Sequence, residues 1–187
     1  MKPIKQIHNK LIQKCKKHNE KAQLQLYKAY CNAMYAVACR YMKDSVLAED
    51  VMQDAFVKAF KSIHTYKEEV AFGAWLKRIV INTCIDELKK NKPVLVAINE
   101  EVITDEVLED NSWQVDEAVT VSMIKKAIDN LPPKYSVVLN LYLIEGYDHN
   151  EIAEIINITP VTSRTQLLRG KKIIKETLKT LSYAEGC

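Results

Sequence analysis

Turn-forming residues are scarce in this chain, and their scarcity limits the folds that it can adopt. Its 187 residues include 4 Gly and 5 Pro. A sheet protein needs turn residues about every 8–12 positions, so an all-β fold is not expected. Apolar residues make up 48% of the sequence, enough for a buried core and too many for a disordered chain. The sequence therefore predicts an all-α fold.

Charge divides the chain into three blocks. Residues 1–98 carry 18 Lys/Arg against 9 Asp/Glu, residues 99–120 carry 8 acids and no base, and residues 121–187 carry 9 bases against 7 acids. This pattern predicts two small helical domains, 1–92 and 117–187, joined by an acidic linker over 93–116. The excess of bases in the first block favours a polyanionic partner, although solvated Lys is common on any surface.

Neither a membrane segment nor a disulfide framework is expected. The longest apolar run, Ala33 to Cys39, has seven residues, whereas a spanning helix needs about 20. The five cysteines are odd in number and contain no C-x-x-C pair, which is typical of reduced cytoplasmic thiols. No cysteine pair lies near a histidine, so we predict no metal site and no cofactor.

Helical periodicity predicts four helices before Pro93. An apolar stripe from Ile4 to Ile12 marks the first and one from Leu24 to Tyr41 the second. Asp44-Ser45 is an N-cap signal for a third helix of about 18 residues. The polar stretch from His64 to Ala71 is predicted to be a loop, and the fourth helix follows it, from Phe72 to Lys90. Beyond the linker, the predicted helices are 115–131, 134–145, 148–156 and 160–182.

The stretch from His149 to Lys172 has the spacing of a helix-turn-helix. Asn157 stands at the turn, where it tolerates a left-handed backbone, and Thr159-Pro160 forms the start of the second helix. Ser163 occupies a position that usually holds a core residue. The inward positions of the second helix are predicted to be Leu167, Gly170 and Ile174.

The outer face of that second helix suits duplex DNA. It combines cationic and hydroxyl side chains, which can grip phosphates and read base edges, with one apolar side chain: Arg164, Thr165, Leu168, Arg169 and Lys172. An ordinary helical hairpin with a solvated basic face is the alternative.

Two further helices carry candidate binding surfaces. Asp50, Gln53 and Asp54 stand one turn apart opposite an apolar face, and they could accept hydrogen bonds from Arg on a partner helix. On residue chemistry alone, a solvated face near a helix N-terminus explains this stripe better.

The helix that begins at Phe72 has cations on its outer side and aromatic residues at its start and in the preceding loop. This combination suits single-stranded nucleic acid, in which bases stack and phosphates are neutralised. The alternative is that the aromatics belong to the core and the cations are solvated. Trp75 lies on the apolar stripe, and we assign it to the core.

Taken together, these stretches resemble the extracytoplasmic-function (ECF, group 4) sigma factors of bacteria over nearly the whole chain. The first module resembles the family's region 2 in two runs, Ala48 to Phe60 and Phe72 to Ile79, with Asn82 and Asp86. The second resembles region 4 in Leu131-Pro132-Pro133, Glu145-Gly146-Tyr147 and Glu151 to Ile155. Residues 141–147 and Thr162-Ser163-Arg164 resemble the version common in Bacteroidota. Glu68-Glu69 stand where the family often has Gly before an acid, and Gln166 replaces a common Arg.

The resemblance implies a function and site residues. It implies an alternative sigma factor that binds core RNA polymerase, directs it to −10/−35 promoters and assists promoter melting. The polymerase β′ clamp helices would meet Glu49, Asp50, Gln53 and Asp54. The −10 element would meet Tyr66, Lys77, Arg78 and Asn82, together with the 64–72 loop. The −35 element would meet Thr162, Arg164, Thr165, Leu168, Arg169 and Lys172. The resemblance also implies contact between region 4 and the β flap, and an anti-sigma partner.

Two other functions were weighed. A plain helix-turn-helix regulator with a helical sensing domain explains residues 149–172 and leaves the other two surfaces unused; it would bind duplex DNA without polymerase. An enzyme is disfavoured because the sequence has no Gly-rich phosphate loop, no metal-ligand spacing and no nucleophile-base pair.

Overall fold

A computed structural model describes residues 8–90 and 119–184, with side chains up to residue 179. Every regular element in these two ranges is helical, so the predicted all-α fold is confirmed. The chain forms two compact units, one ending at Lys90 and the other beginning at Asn91. The predicted acidic linker, 93–116, and the first apolar positions, Ile4 and Ile7, lie outside the described residues.

Over the described residues 8–90, the first unit contains four α-helices. They are α1 (Asn9–Cys15), α2 (Glu20–Ala38), α3 (Ser45–Ser62) and α4 (Phe72–Lys90), and a 3-10 turn (Ile63–Thr65) follows α3. The predicted N-cap is confirmed, since the Asp44 carboxylate accepts hydrogen bonds from the backbone N–H groups of Val46 and Leu47. These bonds satisfy donors that the first helical turn leaves open.

The core of this unit lies between α2, α3 and α4. Leu26, Phe72 and Leu76 are at most 2% exposed, and the Tyr27 and Phe56 rings meet edge to face at 4.8 Å. Such ring pairs add to the free energy gained from buried apolar area. The packing buries one side of α3 and of α4, which leaves the opposite sides available for binding.

Within residues 119–184, the second unit contains four more α-helices. They are α5 (Val121–Asp129), α6 (Pro133–Leu139), α7 (His149–Ile156) and α8 (Pro160–Ala184). The helix predicted over 134–145 is α-helical only to Leu139 and continues as a π-helical segment, Asn140–Ile144. The helix predicted from Val115 begins at Val121 within the described residues.

Local signals define the helix-turn-helix. Asp148 and Glu151 form a capping box at the start of α7, which satisfies donors at both positions. Asn157 ends α7 with φ 60° and ψ 55°, the left-handed conformation expected for the turn. The Thr159 hydroxyl accepts the N–H of Thr162 at 3.0 Å and so caps α8. The predicted turn and start of the second helix are confirmed.

A glycine sets the distance between α6 and α8. A Cβ atom at Gly170 would lie 2.5 Å from Leu139 Cδ1 and 3.3 Å from Tyr135 Cβ. The 2.5 Å distance is shorter than real Cβ contacts, so a side chain at position 170 would force Leu139 to move, and glycine lets the two helices approach closely here. The inward positions Leu167 and Ile174 are buried, at 5% and 0% exposure.

Within residues 8–90 and 119–184, no helix is both long and apolar enough to cross a bilayer. The same residues contain no group of three His, Cys, Asp or Glu that could hold a metal ion. Cys15 and Cys84 are buried free thiols, and burial raises the pKa of Cys84 to about 12. That thiol stays protonated at neutral pH and serves as a small core residue.

Candidate polymerase and nucleic-acid interfaces

One stripe of α3 is polar and fully on the surface. Asp50, Gln53 and Asp54 are exposed, while the opposite side of the helix is buried through Val51, Met52, Ala55 and Phe56. The Gln53 amide donates to the Glu49 carboxylate at 3.2 Å. Asp50 and Asp54 place two carboxylates one turn apart, and Glu49, held by Gln53, adds a third. Together they form an acceptor-rich surface that matches Arg guanidinium groups.

Exposed valines extend this stripe at both ends. Val46 is 68% exposed and Val57 is 51% exposed. Because residues three and four apart share a helix face, Val46, Asp50, Gln53 and Val57 lie in one row. We call the row and its neighbours Glu49 and Asp54 the α3 stripe. The α3 stripe therefore has a polar centre and an exposed apolar side chain at each end.

The outer side of α4 carries the second candidate surface. Arg78 and Asn82 are exposed, one turn apart, and Lys77 is half-buried beside them. Asp86, one turn further, lies 3.8 Å from the Lys58 ammonium, which also donates to the Thr83 hydroxyl at 3.3 Å. We call Lys77, Arg78 and Asn82 the α4 stripe. It provides two cations and an amide, groups that can hold a phosphate and read a base edge.

Tyr66 does not lie on this surface, contrary to the sequence prediction. Its side chain is 2% exposed, its hydroxyl donates to the Val70 carbonyl at 2.6 Å, and its ring lies 5.4 Å from Phe72 and 5.3 Å from Trp75. A buried ring cannot stack on a nucleic-acid base. Tyr66 therefore supports the loop from inside. Phe72 also belongs to the core, whereas Trp75, which we assigned to the core, is half-buried.

The third surface is the outer face of α8. Arg164 and Lys172 are exposed, and Thr162, Thr165, Leu168 and Arg169 are half-buried. We call these six residues the α8 face. The Thr165 hydroxyl donates to the Val161 carbonyl at 3.1 Å within its own helix, and its oxygen keeps capacity to accept. The face has the donors, acceptors and apolar tip that the sequence predicted for reading duplex DNA.

Polar residues also point from α8 into the core: Ser163 does so at the core position that the sequence indicated, and the burial of Gln166 was not predicted. Ser163 and Gln166 are both 0% exposed, so Gln166 does not lie on the α8 face. The Ser163 hydroxyl and His149 Nδ1 lie 2.9 Å apart and share a hydrogen bond that ties α7 to α8. The His149 ring in turn stacks on Tyr142 at 4.7 Å. Ser163 thus fills a core position by pairing with a histidine fourteen residues earlier. The available sequence signal was the presence of both polar residues within the helix-turn-helix.

The surroundings of His149 favour its neutral form. Burial lowers the pKa of His149 below its ordinary value of 6.5, and the positive charges of Arg164 and Lys171 lower it further against the opposing effect of Asp148. A neutral imidazole fits the contact with Ser163 and leaves the positive charge of this region to Arg164 and Lys171.

Comparison with known proteins gives a family for both units. Residues 26–94 match the family model for Sigma-70 region 2, and residues 122–174 match that for Sigma-70, region 4. The ECF RNA polymerase sigma factor SigW of Bacillus subtilis is 29% identical over 181 residues, covering 92% of this chain and 97% of the relative. The ECF RNA polymerase sigma-E factor of Haemophilus influenzae is 27% identical, covering 91% and 95%.

The chain belongs to the ECF family of RNA polymerase sigma factors. This ECF sigma factor is an alternative sigma factor that directs RNA polymerase in transcription initiation. Members of the family are initiation factors rather than enzymes.

Solved sigma factors share its fold. The sigma factor RpoE of Bartonella quintana, solved in complex with the anti-sigma factor NepR, matches with a TM-score of 0.53 at 20% identity, covering 83% of this chain and 95% of that one. CnrH, solved with the cytosolic domain of CnrY, matches with a TM-score of 0.52 at 18% identity, covering 91% and 96%.

Proposed function

We propose that this ECF sigma factor uses the α3 stripe to bind the β′ clamp helices of core polymerase, the α4 stripe and the 64–72 loop to hold the melted −10 strand, and the α8 face to read the −35 duplex. One observation carries the proposal: each of these helices presents its candidate binding side chains on the side opposite its core. No catalytic group is needed, because the initiation factor supplies binding energy and orientation to the polymerase.

The α3 stripe is tested by binding to core polymerase in competition with the housekeeping sigma factor. Asp50→Lys with Asp54→Lys should abolish binding, because it places four units of charge change on an exposed surface without touching the core. Single variants provide a matched control. Glu20→Lys, on α2, makes the same charge reversal as Asp50→Lys on the α3 stripe. Tight binding by the double variant would remove the α3 stripe from the interface.

The α4 stripe is tested with a non-template single strand. Asn82→Ala and Arg78→Ala should weaken capture of that strand by the holoenzyme and leave core binding intact, because neither side chain lies on the α3 stripe. Lys61→Ala, on α3, removes the same charge as Arg78→Ala elsewhere in the unit. Equal losses of strand affinity in Arg78→Ala and Lys61→Ala would mean that Arg78 acts only through general attraction of an anion.

The α8 face is tested by sequence preference. Arg164→Ala should weaken −35 binding by about 1–3 kcal/mol and relax specificity at one position if Arg164 contacts a base. An equal loss across all sequences would assign Arg164 to a phosphate, and Lys125→Ala on α5 measures the loss of charge alone. Tight binding to duplex DNA without any affinity for core polymerase would instead indicate a helix-turn-helix regulator.

Further assignments follow from the same proposal. The Bartonella quintana sigma factor was solved with an anti-sigma factor, which supports an anti-sigma partner for this chain, and we place its activity in the cytoplasm with the polymerase. Contact between the second unit and the β flap belongs to the proposal as well. Residues 141–147 and Thr162-Ser163-Arg164 support the version of the family common in Bacteroidota.

A further inference from the structure

The segment that links the 3-10 turn to α4 is held by α1, the first described helix of the unit. Lys16, at the C-terminal end of α1, donates from its ammonium to the Tyr66 carbonyl at 2.9 Å. The same ammonium lies 3.4 Å from the Glu68 carboxylate. Gln13, one turn earlier, donates to that carboxylate at 2.7 Å. Three side chains therefore tie residues 66–68 to α1, across 50 to 55 positions of sequence.

The backbone at Glu68 makes this tether important. Glu68 has φ 65°, the left-handed conformation that glycine adopts freely and a side chain with a Cβ atom adopts at a cost. Glutamate gains nothing from that conformation by itself. Its carboxylate does gain the two contacts to Gln13 and Lys16, and charge-assisted hydrogen bonds are stronger than neutral ones. The contacts to α1 thus offset the unfavourable backbone of the segment.

The inner side of the segment is fixed as well. Tyr66 is buried, its hydroxyl bonds to the Val70 carbonyl, and the Lys16 ammonium lies 5.7 Å from the centre of its ring. Lys67, Glu69 and Val70, by contrast, are exposed. The segment 66–70 therefore has an anchored inner side and an exposed outer side, and it directly precedes the helix that carries the α4 stripe.

We propose that Lys16, with Gln13 and Glu68, is a positioning group for promoter melting: it holds segment 66–70 in the conformation that receives the unpaired −10 strand. This inference rests on the proposed function of the 64–72 loop. A segment ordered before binding does not lose conformational entropy when the strand arrives, so the tether raises strand affinity without touching DNA. Lys16 acts through the segment and is not itself a DNA contact.

The test measures two affinities. The first is that of the sigma factor for core polymerase, and the second is that of the reconstituted holoenzyme for the single-stranded non-template oligonucleotide that spans the −10 element found by run-off transcription. Lys16→Met should lower strand affinity about tenfold, since it deletes hydrogen bonds of a charged group, and should leave core affinity unchanged. Lys16→Arg keeps the donor and should restore most of the loss. Lys17→Met is the matched control, because Lys17 is the exposed neighbour and its loss removes the same charge.

Glu68→Gly separates positioning from charge. Glycine adopts the observed backbone without strain, so Lys16→Met should cost clearly less in a Glu68→Gly background than in the original chain. Amide hydrogen exchange of residues 66–70 should accelerate in Lys16→Met and stay slow in Lys17→Met. Exchange in α3 should not change.

Several outcomes would overturn the inference. Equal strand affinity for Lys16→Met and Lys17→Met would do so, as would equal losses for strand and for core polymerase, which would indicate a general folding defect. Wild-type holoenzyme that fails to bind the strand would overturn the proposed function and the inference together. Normal strand binding with unchanged exchange in Lys16→Met would overturn the inference alone.

Discussion

The binding helices of the two units differ in how many neighbours surround them. In the first unit, α3 packs mainly against α2 and α4; in the second, α8 packs against α5, α6 and α7. On α3, half of the residues are exposed, whereas most of the described residues of α8 are buried or half-buried. The side chains available for function on α8 are therefore confined to a narrower strip than those on α3.

The two units also differ in how many polar residues they bury. Among the described residues, Asn140, Ser163 and Gln166 are buried in the second unit, and Thr83 is the buried polar residue of the first. Ser163 and Gln166 both lie on α8, next to residues of the α8 face. Substitutions on the α3 stripe should thus change binding without changing stability, while substitutions near the α8 face should change both.

Gly170→Val gives the largest effect expected from this comparison. A side chain at position 170 must displace Leu139 and Tyr135, and overpacking of this kind costs about 1–3 kcal/mol. Denaturation and hydrogen exchange of the full chain should show α8 destabilised and α3 unaffected. Thr177→Val, at an exposed position of α8, should have little effect. Unchanged stability of Gly170→Val would mean that α6 and α8 do not approach closely.

The same difference explains how far the sequence could be interpreted. The caps at Asp44 and Thr159 and the turn at Asn157 depend on residues within one turn of each other, so local patterns predicted them. The face opposite the core was correctly predicted for α3. On α8 the core position of Ser163 was also recognised, whereas its contact with His149 and the burial of Gln166 were not predicted.

Tertiary contacts account for the other differences. Tyr66 was assigned to the −10 surface from its aromatic character, and the ring packs instead between Phe72 and Trp75. The tether from Lys16 and Gln13 joins residues 50 to 55 positions apart. Periodicity identifies which side of a helix is apolar, and it contains no information about which distant segment a lysine will reach.

A double-mutant cycle on Ser163 and His149 should give the next largest effect. Ser163→Ala removes the hydroxyl, and His149→Phe keeps a ring stacked on Tyr142 while it removes the nitrogen. The coupling free energy between the two changes should be about 1 kcal/mol, the net value of a hydrogen bond in a partly buried site. Thr177→Ala removes a hydroxyl that bonds only within its own helix. Strictly additive effects would show that the bond does not hold α7 to α8.

Acid should weaken the second unit through His149. Its pKa is lowered in the folded chain, so the unfolded state takes up a proton first as the pH falls. The stabilisation is complete above the ordinary value of 6.5 and is lost as the pH falls through the lower folded pKa. Hydrogen exchange of α8 should therefore accelerate as the pH falls below 6.5. His149→Phe should remove this part of the pH dependence. An equal acceleration in His149→Phe would assign it to other groups.

Lys58→Met should give the smallest effect, in the first unit. The Lys58 and Asp86 side chains are 53% and 59% exposed, and exposed ion pairs contribute between zero and about 1 kcal/mol. Thr83 keeps its hydrogen bond to the Ile79 carbonyl at 2.9 Å, so the loss of Lys58 leaves no buried donor unsatisfied. Denaturation should show a change of a few tenths of a kcal/mol, close to that of Lys61→Met. A loss as large as that of Gly170→Val would contradict the contrast between the units, because it would mean that the polar exterior of α3 and α4 also holds their core together.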